Sequence, residues 1–261
     1  MIRREDRGEI AVLHLEHGKV NAIDLELLDA LQRTMITLDR DAQIKAAVVT
    51  GTGGNFSAGV DLYRMLDENE DYFRQFIDAL ERLLETLFIG PVPTVAAING
   101  HAIAGGCILA AACDRRLMAE GKGKIGVSEL QVGVPFPQTA LAVLRALLPF
   151  RHLYDLVTSG RLVEGPEAKE MGLVDELVPA DELLDRAIGR AQSFAAVPAP
   201  IWGLTKNQLR KIALWLPTDD ADVYDTNVRH MWLAPQTRER IRAFLDQKVG
   251  KKSGGESGDG T

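Results

Sequence analysis

The chain of 261 residues has only two cysteines and no long uninterrupted hydrophobic segment. No stretch approaches the roughly 20 consecutive apolar residues of a membrane span, so we expect no membrane association. Cys107 and Cys113 fall in one predicted helix but on different sides of it, which predicts reduced thiols rather than a disulfide. The charged N-terminus has no apolar run behind it, unlike a secretory signal peptide. These absences predict a soluble, cytoplasmic protein.

Positive charge is also scarce, since 30 Lys and Arg residues face 37 Asp and Glu residues and the net charge is −7. This balance argues against nucleic acid as a partner. Any anionic ligand must therefore be held by individual basic side chains and backbone N–H groups. Residues 121–126 match the letters of a dinucleotide-binding fingerprint, but they lead into another β-like segment instead of a helix. We interpret them as a glycine-rich hairpin.

Hydrophobic periodicity predicts an α/β fold with a helical C-terminal segment. Residues 9–15 and 46–50 have the pattern of buried strands, and Asp24 is a plausible N-cap for an amphipathic helix. After a proline-containing hinge at residues 197–200, only helical patterns follow. We therefore predict a core over residues 1–197, a helical region over residues 198–249, and a disordered tail over residues 250–261.

Residues 98–114 read I-N-G-H-A-I-A-G-G-C-I-L-A-A-A-C-D, and the paired glycines Gly105 and Gly106 open an apolar helix there. Free backbone N–H groups at a helix start can stabilise a developing negative charge, and glycine lets a ligand approach the backbone closely. Tight packing of a helix on a sheet would explain the same glycines. This stretch alone leaves both interpretations open.

Together with a second stretch, F-S-A-G-V-D-L at residues 56–62, this segment resembles the crotonase family of enoyl-CoA hydratases and isomerases. The likeness covers nearly the whole chain, including K-V-N-A at residues 19–22 and the segment 159–178. It implies an α/β, crotonase-like spiral of ββα turns with a C-terminal helical oligomerisation region, assembled as a homotrimer or a dimer of trimers. It also implies an acyl-CoA substrate that brings coenzyme A with it, and neither a further cofactor nor a metal.

The resemblance assigns an oxyanion hole to the backbone N–H groups of Val60 and Gly105. Removal of a proton next to a thioester creates an enolate oxygen, and loss of one such donor typically costs on the order of 3 kcal/mol. Tyr63 stands where the family often has a lysine. The resemblance further assigns substrate contacts to Lys19, Val20, Ala22, Ala58, Asp61, Leu62, Tyr63, Gly106 and Ile108. Phe136, which lies between two prolines, could line the acyl pocket as a further substrate contact.

Hydratases of this family hold one water between two glutamates, and this chain matches only the second of them. The first position is Ile108, whereas Glu129 falls at the second. A lone base suits a proton shuttle that moves the double bond of a 3-enoyl-CoA into conjugation. The segment G-V-S-E at residues 126–129 is similar to the G-x-x-E setting of 3,2-enoyl-CoA isomerases. Apolar neighbours should raise the pKa of the Glu129 carboxyl towards the working pH.

The favoured hypothesis is thus an enoyl-CoA isomerase that uses Glu129, Val60 and Gly105. Two alternatives remain: a weak or atypical enoyl-CoA hydratase, and a non-catalytic acyl-CoA-binding protein. Structural interpretations also exist for single residues. Glu129 could end a strand at the surface, Asp61 could cap a loop, and Phe136 could fill the core.

Overall fold

A computed structural model describes residues 1–215 and 218–253, which form ten strands and twelve helices. The strands are β1 (Ile2–Arg7), β2 (Ile10–Leu15), β3 (Ala46–Gly51), β4 (Asn55–Ser57), β5 (Thr94–Ile98), β6 (His101–Ile103), β7 (Arg115–Ala119), β8 (Lys124–Gly126), β9 (Leu162–Glu164) and β10 (Glu176–Val178). The helices are α1 (Leu25–Asp39), α2 (Leu62–Asp67), α3 (Glu70–Ile89), α4 (Gly105–Ala112), α5 (Glu129–Val132), α6 (Gln138–Leu147), α7 (Phe150–Ser159), α8 (Gly165–Met171), α9 (Leu183–Ala195), α10 (Ala199–Leu214), α11 (Thr218–Leu233) and α12 (Pro235–Ser253).

The strands form two sheets, and the strands from β3 to β8 alternate between them. The larger sheet has the order β1-β2-β3-β5-β7-β10, and all its pairs are parallel except β1 with β2. The smaller sheet has the order β4-β6-β8-β9, in which only the last pair is antiparallel. The units β3-β4, β5-β6 and β7-β8 each place one strand in each sheet and continue into helices. This arrangement is the predicted spiral of ββα turns.

Helices cover both faces of the larger sheet. Helices α1, α3 and α4 contribute to the main core on one face, and α9 packs on the other. A parallel strand that is buried on both faces needs a continuous apolar run rather than alternation, and the fully buried β3, A-A-V-V-T-G, has one. The predicted cap is also present, because the Asp24 side chain accepts a hydrogen bond from the N–H of Leu27 at the start of α1.

Four short or charged strands, β1, β4, β6 and β9, escaped the sequence patterns. Strand β1 carries charges at five of its six positions, R-R-E-D-R, and still pairs with β2 along its whole length. Strands β4 and β6 span three residues each, which is too short for a periodic signal. Glu129 does not end a surface strand either. It is the first residue of α5 and is buried.

The C-terminal helices fold back onto the core of the same chain. Trp232 on α11 is buried, and so is Ile241 on α12. Helix α12 runs to Ser253, so residues 250–253 are helical where the sequence predicted disorder. The remainder of that predicted tail, residues 254–261, lies outside the described residues. Among the helices of the described ranges, none combines the length and apolar character needed to span a bilayer.

Candidate active site

A hydrogen-bonded loop before Val60 sets the position of its backbone. Asn21 adopts a left-handed conformation with φ of 49°, and its carbonyl accepts a bond of 2.7 Å from the Ser57 hydroxyl. The same hydroxyl accepts a bond of 3.2 Å from the N–H of Gly59. Ser57 is fully buried, so these bonds are shielded from water. They tie the K-V-N-A segment to the loop that carries Val60.

Gly59 lets this loop approach the start of α4. Its φ is +86°, and a Cβ at this position would lie 2.6 Å from the carbonyl oxygen of Ile103. On either side of Val60, the N–H of Ile23 donates to Gly59 and the N–H of Asp61 donates to Ile23. Ile23 and Val60 thus form an isolated parallel bridge. In such a bridge the N–H of Val60 itself points away from Ile23. The amide is therefore left free on the side of α4.

The N-terminus of α4 presents the second free amide. Ala104 precedes the helix at φ of 51° and ψ of −124°, a conformation that costs a non-glycine residue about 1–3 kcal/mol and is typical of functional sites. A Cβ built on Gly105 would lie 3.7 Å from the Val60 nitrogen, so the two amides are neighbours. Within the described ranges, neither the Val60 N–H nor the Gly105 N–H donates a hydrogen bond. Their convergence on one ligand oxygen stays a prediction.

Glu129 is the first residue of α5 and is only 7% exposed. Its Oε2 has no hydrogen-bond partner in the part of the chain that the structure describes. Burial raises the pKa of Glu129 to about 7, although hydrogen bonds from its own backbone N–H and that of Ser128 partly oppose the shift. A carboxyl group of this kind can both take and release a proton near neutral pH.

Val60, Gly105 and Glu129 line one cavity, which encloses about 70 Å³ of free volume. Its walls are mainly apolar, which strengthens electrostatic interactions inside it. The remaining lining residues are Ala58, Leu62, Phe76, Ile77, Leu80, Ile103, Ala104, Ile108, Ser128, Val132, Val134, Pro137, Trp232 and Phe244.

The structure brings together only part of the predicted site. Ala58, Leu62 and Ile108 line the cavity with the three predicted catalytic residues, whereas seven of the predicted substrate-binding residues do not. These seven are Lys19, Val20, Ala22, Asp61, Tyr63, Gly106 and Phe136. The predicted substrate contacts of all ten residues remain untested.

For several of the seven predicted residues that do not line the cavity, the structure shows the position and packing of the side chain. Asp61 caps α2, since its side chain accepts a hydrogen bond from the N–H of Arg64. Gly106 packs so closely on the Ser57 backbone that a Cβ would lie 2.4 Å from its carbonyl oxygen. Phe136 is buried and Tyr63 is exposed. The structural interpretations of Asp61 and Phe136 therefore agree with their positions.

Sequence reasoning missed the part of the wall that the C-terminal helices supply. Trp232 on α11 and Phe244 on α12 both reach the cavity. They lie more than a hundred residues beyond the glycine pair, so no local pattern connects them to it. Among the described residues, no group of three His, Cys, Asp or Glu side chains is arranged to hold a metal ion.

The alternating ββα turns and the helical C-terminal segment define a crotonase-fold protein. Residues 5–248 match the family model described as enoyl-CoA hydratase/isomerase. The chain therefore belongs to the enoyl-CoA hydratase/isomerase family. It is 32% identical over 213 residues to the mouse protein named mitochondrial enoyl-CoA delta isomerase 1. The aligned residues cover 81% of this chain and 74% of the mouse protein.

Two further comparisons concern a protein named as a hydratase and a structure named as an isomerase. A putative enoyl-CoA hydratase from Thermus thermophilus is 34% identical over 210 residues, covering 78% of this chain and 81% of its own length. The crystal structure of human mitochondrial delta3-delta2-enoyl-CoA isomerase superposes with a TM-score of 0.90 at 26% identity and covers 96% of this chain and 99% of that one. Relatives thus have both isomerase and hydratase names.

Proposed function

We propose that the protein isomerises 3-enoyl-CoA to 2-enoyl-CoA with Glu129 as the single proton carrier. The observation that carries this proposal is the environment of that carboxyl group. It is buried, its Oε2 is unpartnered, and it lines the same cavity as the neighbouring amides of Val60 and Gly105. The isomerase name of the mouse relative and the human isomerase structure support the same reaction.

In the proposed mechanism, the Glu129 carboxylate removes a proton from the α carbon of the thioester. The electron pair of the broken C–H bond moves into the thioester carbonyl and forms an enolate. The N–H groups of Val60 and Gly105 donate to the enolate oxygen and stabilise its charge. The dienolate then takes the same proton from Glu129 at its γ carbon. The double bond becomes conjugated, and Glu129 is a carboxylate again.

Ile108 is the residue that favours isomerisation over hydration. It lines the cavity and is 3% exposed. Glu129 is the one acidic side chain in the described cavity lining, and an isoleucine can neither orient nor deprotonate a water molecule. The hydratase name of the Thermus thermophilus relative keeps hydration as the second candidate function.

We further propose that coenzyme A binds outside the cavity, along the K-V-N-A segment and the start of α2. Lys19 and Tyr63 are exposed there, and α2 begins next to the Val60 loop. We propose a cytoplasmic location as well, which the mitochondrial names of some relatives leave open.

An exposed apolar face of α10 supports the predicted homotrimer or dimer of trimers. Leu209, Ile212 and Trp215 are each more than 70% exposed, although large apolar side chains are usually covered. Lys206 and Arg210 anchor the opposite side of α10 to Asp114 at 2.9 and 3.1 Å. The helix is thus fixed to the core while its apolar side stays available to other copies.

The discriminating experiment supplies the purified protein with a 3-enoyl-CoA and, separately, with a 2-enoyl-CoA. Isomerisation of the first creates a conjugated thioester that absorbs in the ultraviolet, and hydration of the second removes that absorbance. We expect rapid conversion of the 3-enoyl substrate and little loss of the 2-enoyl one. Hydration as the faster reaction would replace this proposal with the hydratase, and binding without either reaction would favour an acyl-CoA-binding protein.

A further inference from the structure

We propose that Trp232 limits the length of the acyl chain, so that the substrates are short-chain enoyl-CoA thioesters. This inference rests on the proposed acyl-CoA function and adds the chain-length class to it. Trp232 on α11 lines the same cavity as Glu129 and is 7% exposed. An acyl group that presents its α and γ carbons to Glu129 must therefore end within walls that include the indole ring.

The free volume of the cavity is small for an acyl chain. It is about 70 Å³, whereas sites for small molecules typically enclose on the order of 300–1,000 Å³. The cavity as it stands thus accommodates a short acyl group. A longer chain requires one wall to move.

Two direct contacts hold the side chain of Trp232, and an ion pair holds its helix. Its Nε1 donates a hydrogen bond of 3.0 Å to the carbonyl of Pro135, and its ring packs on Phe73 with 5.5 Å between centroids. One turn earlier on α11, Arg229 pairs with Asp78 of α3 at 2.7 Å. Displacement of the indole would leave its buried N–H donor without a partner and would break the bond to the Pro135 carbonyl. The wall is therefore fixed.

Removal of the indole enlarges the cavity at the wall that α11 supplies. Trp232 belongs to the same main core as the α3 wall residues Ile77 and Leu80. Helix α11 also carries exposed residues, including Tyr224 and Met231. A truncated residue 232 thus adds space to the cavity at the position that the indole now fills.

The test is a series of dissociation constants for saturated butanoyl-, hexanoyl-, octanoyl- and decanoyl-CoA. Saturated thioesters report on binding whether or not the protein is an isomerase. We expect the wild type to bind decanoyl-CoA about tenfold or more weakly than butanoyl-CoA, because overpacking a filled cavity is costly. In Trp232→Ala, affinity should instead rise about fourfold for each newly buried methylene, which corresponds to about 0.8 kcal/mol.

Two further variants make the result specific. Trp232→Phe keeps most of the wall and should retain the preference for short chains. This variant keeps the proposal testable if Trp232→Ala does not fold. Phe150→Ala removes an exposed aromatic ring outside the cavity and should leave the length series unchanged. Equal or tighter binding of decanoyl-CoA by the wild type would overturn the length limit alone. A failure of every thioester to bind would overturn the proposed function with it.

Discussion

Replacement of Glu129 by glutamine is expected to abolish most turnover while stabilising the protein at alkaline pH. The amide matches the carboxyl in shape but cannot carry the proton, and general-base groups are typically worth about 10²–10⁴-fold in rate. Because glutamine preserves the shape of the side chain, the variant should keep its affinity for acyl-CoA. The loss should therefore appear in kcat and not in KM.

The gain in stability follows from the raised pKa of Glu129. Burial holds the folded-state pKa at about 7 against an ordinary value of 4.5. Between these values the folded state binds more protons than the unfolded state, so the free energy of unfolding falls as the pH rises. The difference of two to three pKa units corresponds to about 3 kcal/mol, fully developed above pH 7. Glutamine does not ionise and avoids this cost.

The assay is denaturant unfolding at about pH 5 and about pH 8, combined with turnover of a 3-enoyl-CoA. Glu129→Gln should match the wild type within about 1 kcal/mol at the acidic pH and exceed it by up to about 3 kcal/mol at the alkaline one. Glu81→Gln is the matched control, because burial raises the pKa of Glu81 to about 7 outside the cavity. It should show a similar stability change with full turnover. Turnover of Glu129→Gln within a few-fold of the wild type would refute the assigned base.

Further predictions concern the pH profile, the cavity, the glycine pair and the assembly. Wild-type kcat/KM should rise with pH and reach half its maximum near pH 7, since Glu129 must be ionised; a flat profile would exclude it as the base. Ile108→Glu should add hydratase activity towards 2-enoyl-CoA, because two carboxyls could share a water. A folded variant that binds acyl-CoA without that gain would show that other groups decide the reaction. Gly106→Ala should lower the free energy of unfolding by about 1–3 kcal/mol, because its Cβ would lie 2.4 Å from the Ser57 carbonyl; unchanged denaturation would contradict this. Leu209→Asp should dissociate a trimer or hexamer in sedimentation experiments, and a wild type that sediments as a monomer would refute the assembly.

Local patterns were sufficient to predict several elements of the core. The N-cap at Asp24, the helix that opens at Gly105 and the buried strand β3 all follow from short-range chemistry, namely capping, glycine and a run of apolar residues. The resemblance then paired Gly105 with Val60, which no periodicity could do. In the structure, a Cβ built on Gly105 would lie 3.7 Å from the Val60 nitrogen, while a shared oxyanion hole stays a prediction.

Features that depend on contacts distant in the sequence were not predicted. Trp232 reaches the cavity because α11 folds back over α3, and its partner Pro135 is almost a hundred residues away. Strand β1 forms although it is rich in charged residues. Its backbone is hydrogen-bonded to β2, and its charged side chains form ion pairs such as Arg3 with Glu5. The burial of Glu129 was expected from apolar neighbours, whereas its place at the start of α5 was not.

The central claim is that one buried carboxyl carries a proton from the α carbon to the γ carbon. The direct measurement uses a 3-enoyl-CoA deuterated at the α carbon, with mass spectrometry and NMR of the product formed in ordinary water. Because Glu129 is 7% exposed, transfer should compete with exchange, and we predict a measurable fraction of 2-enoyl-CoA with deuterium at the γ carbon. This fraction should vanish with turnover in Glu129→Gln. A product that never carries deuterium at the γ carbon, or that is mainly the 3-hydroxy thioester, would contradict the account.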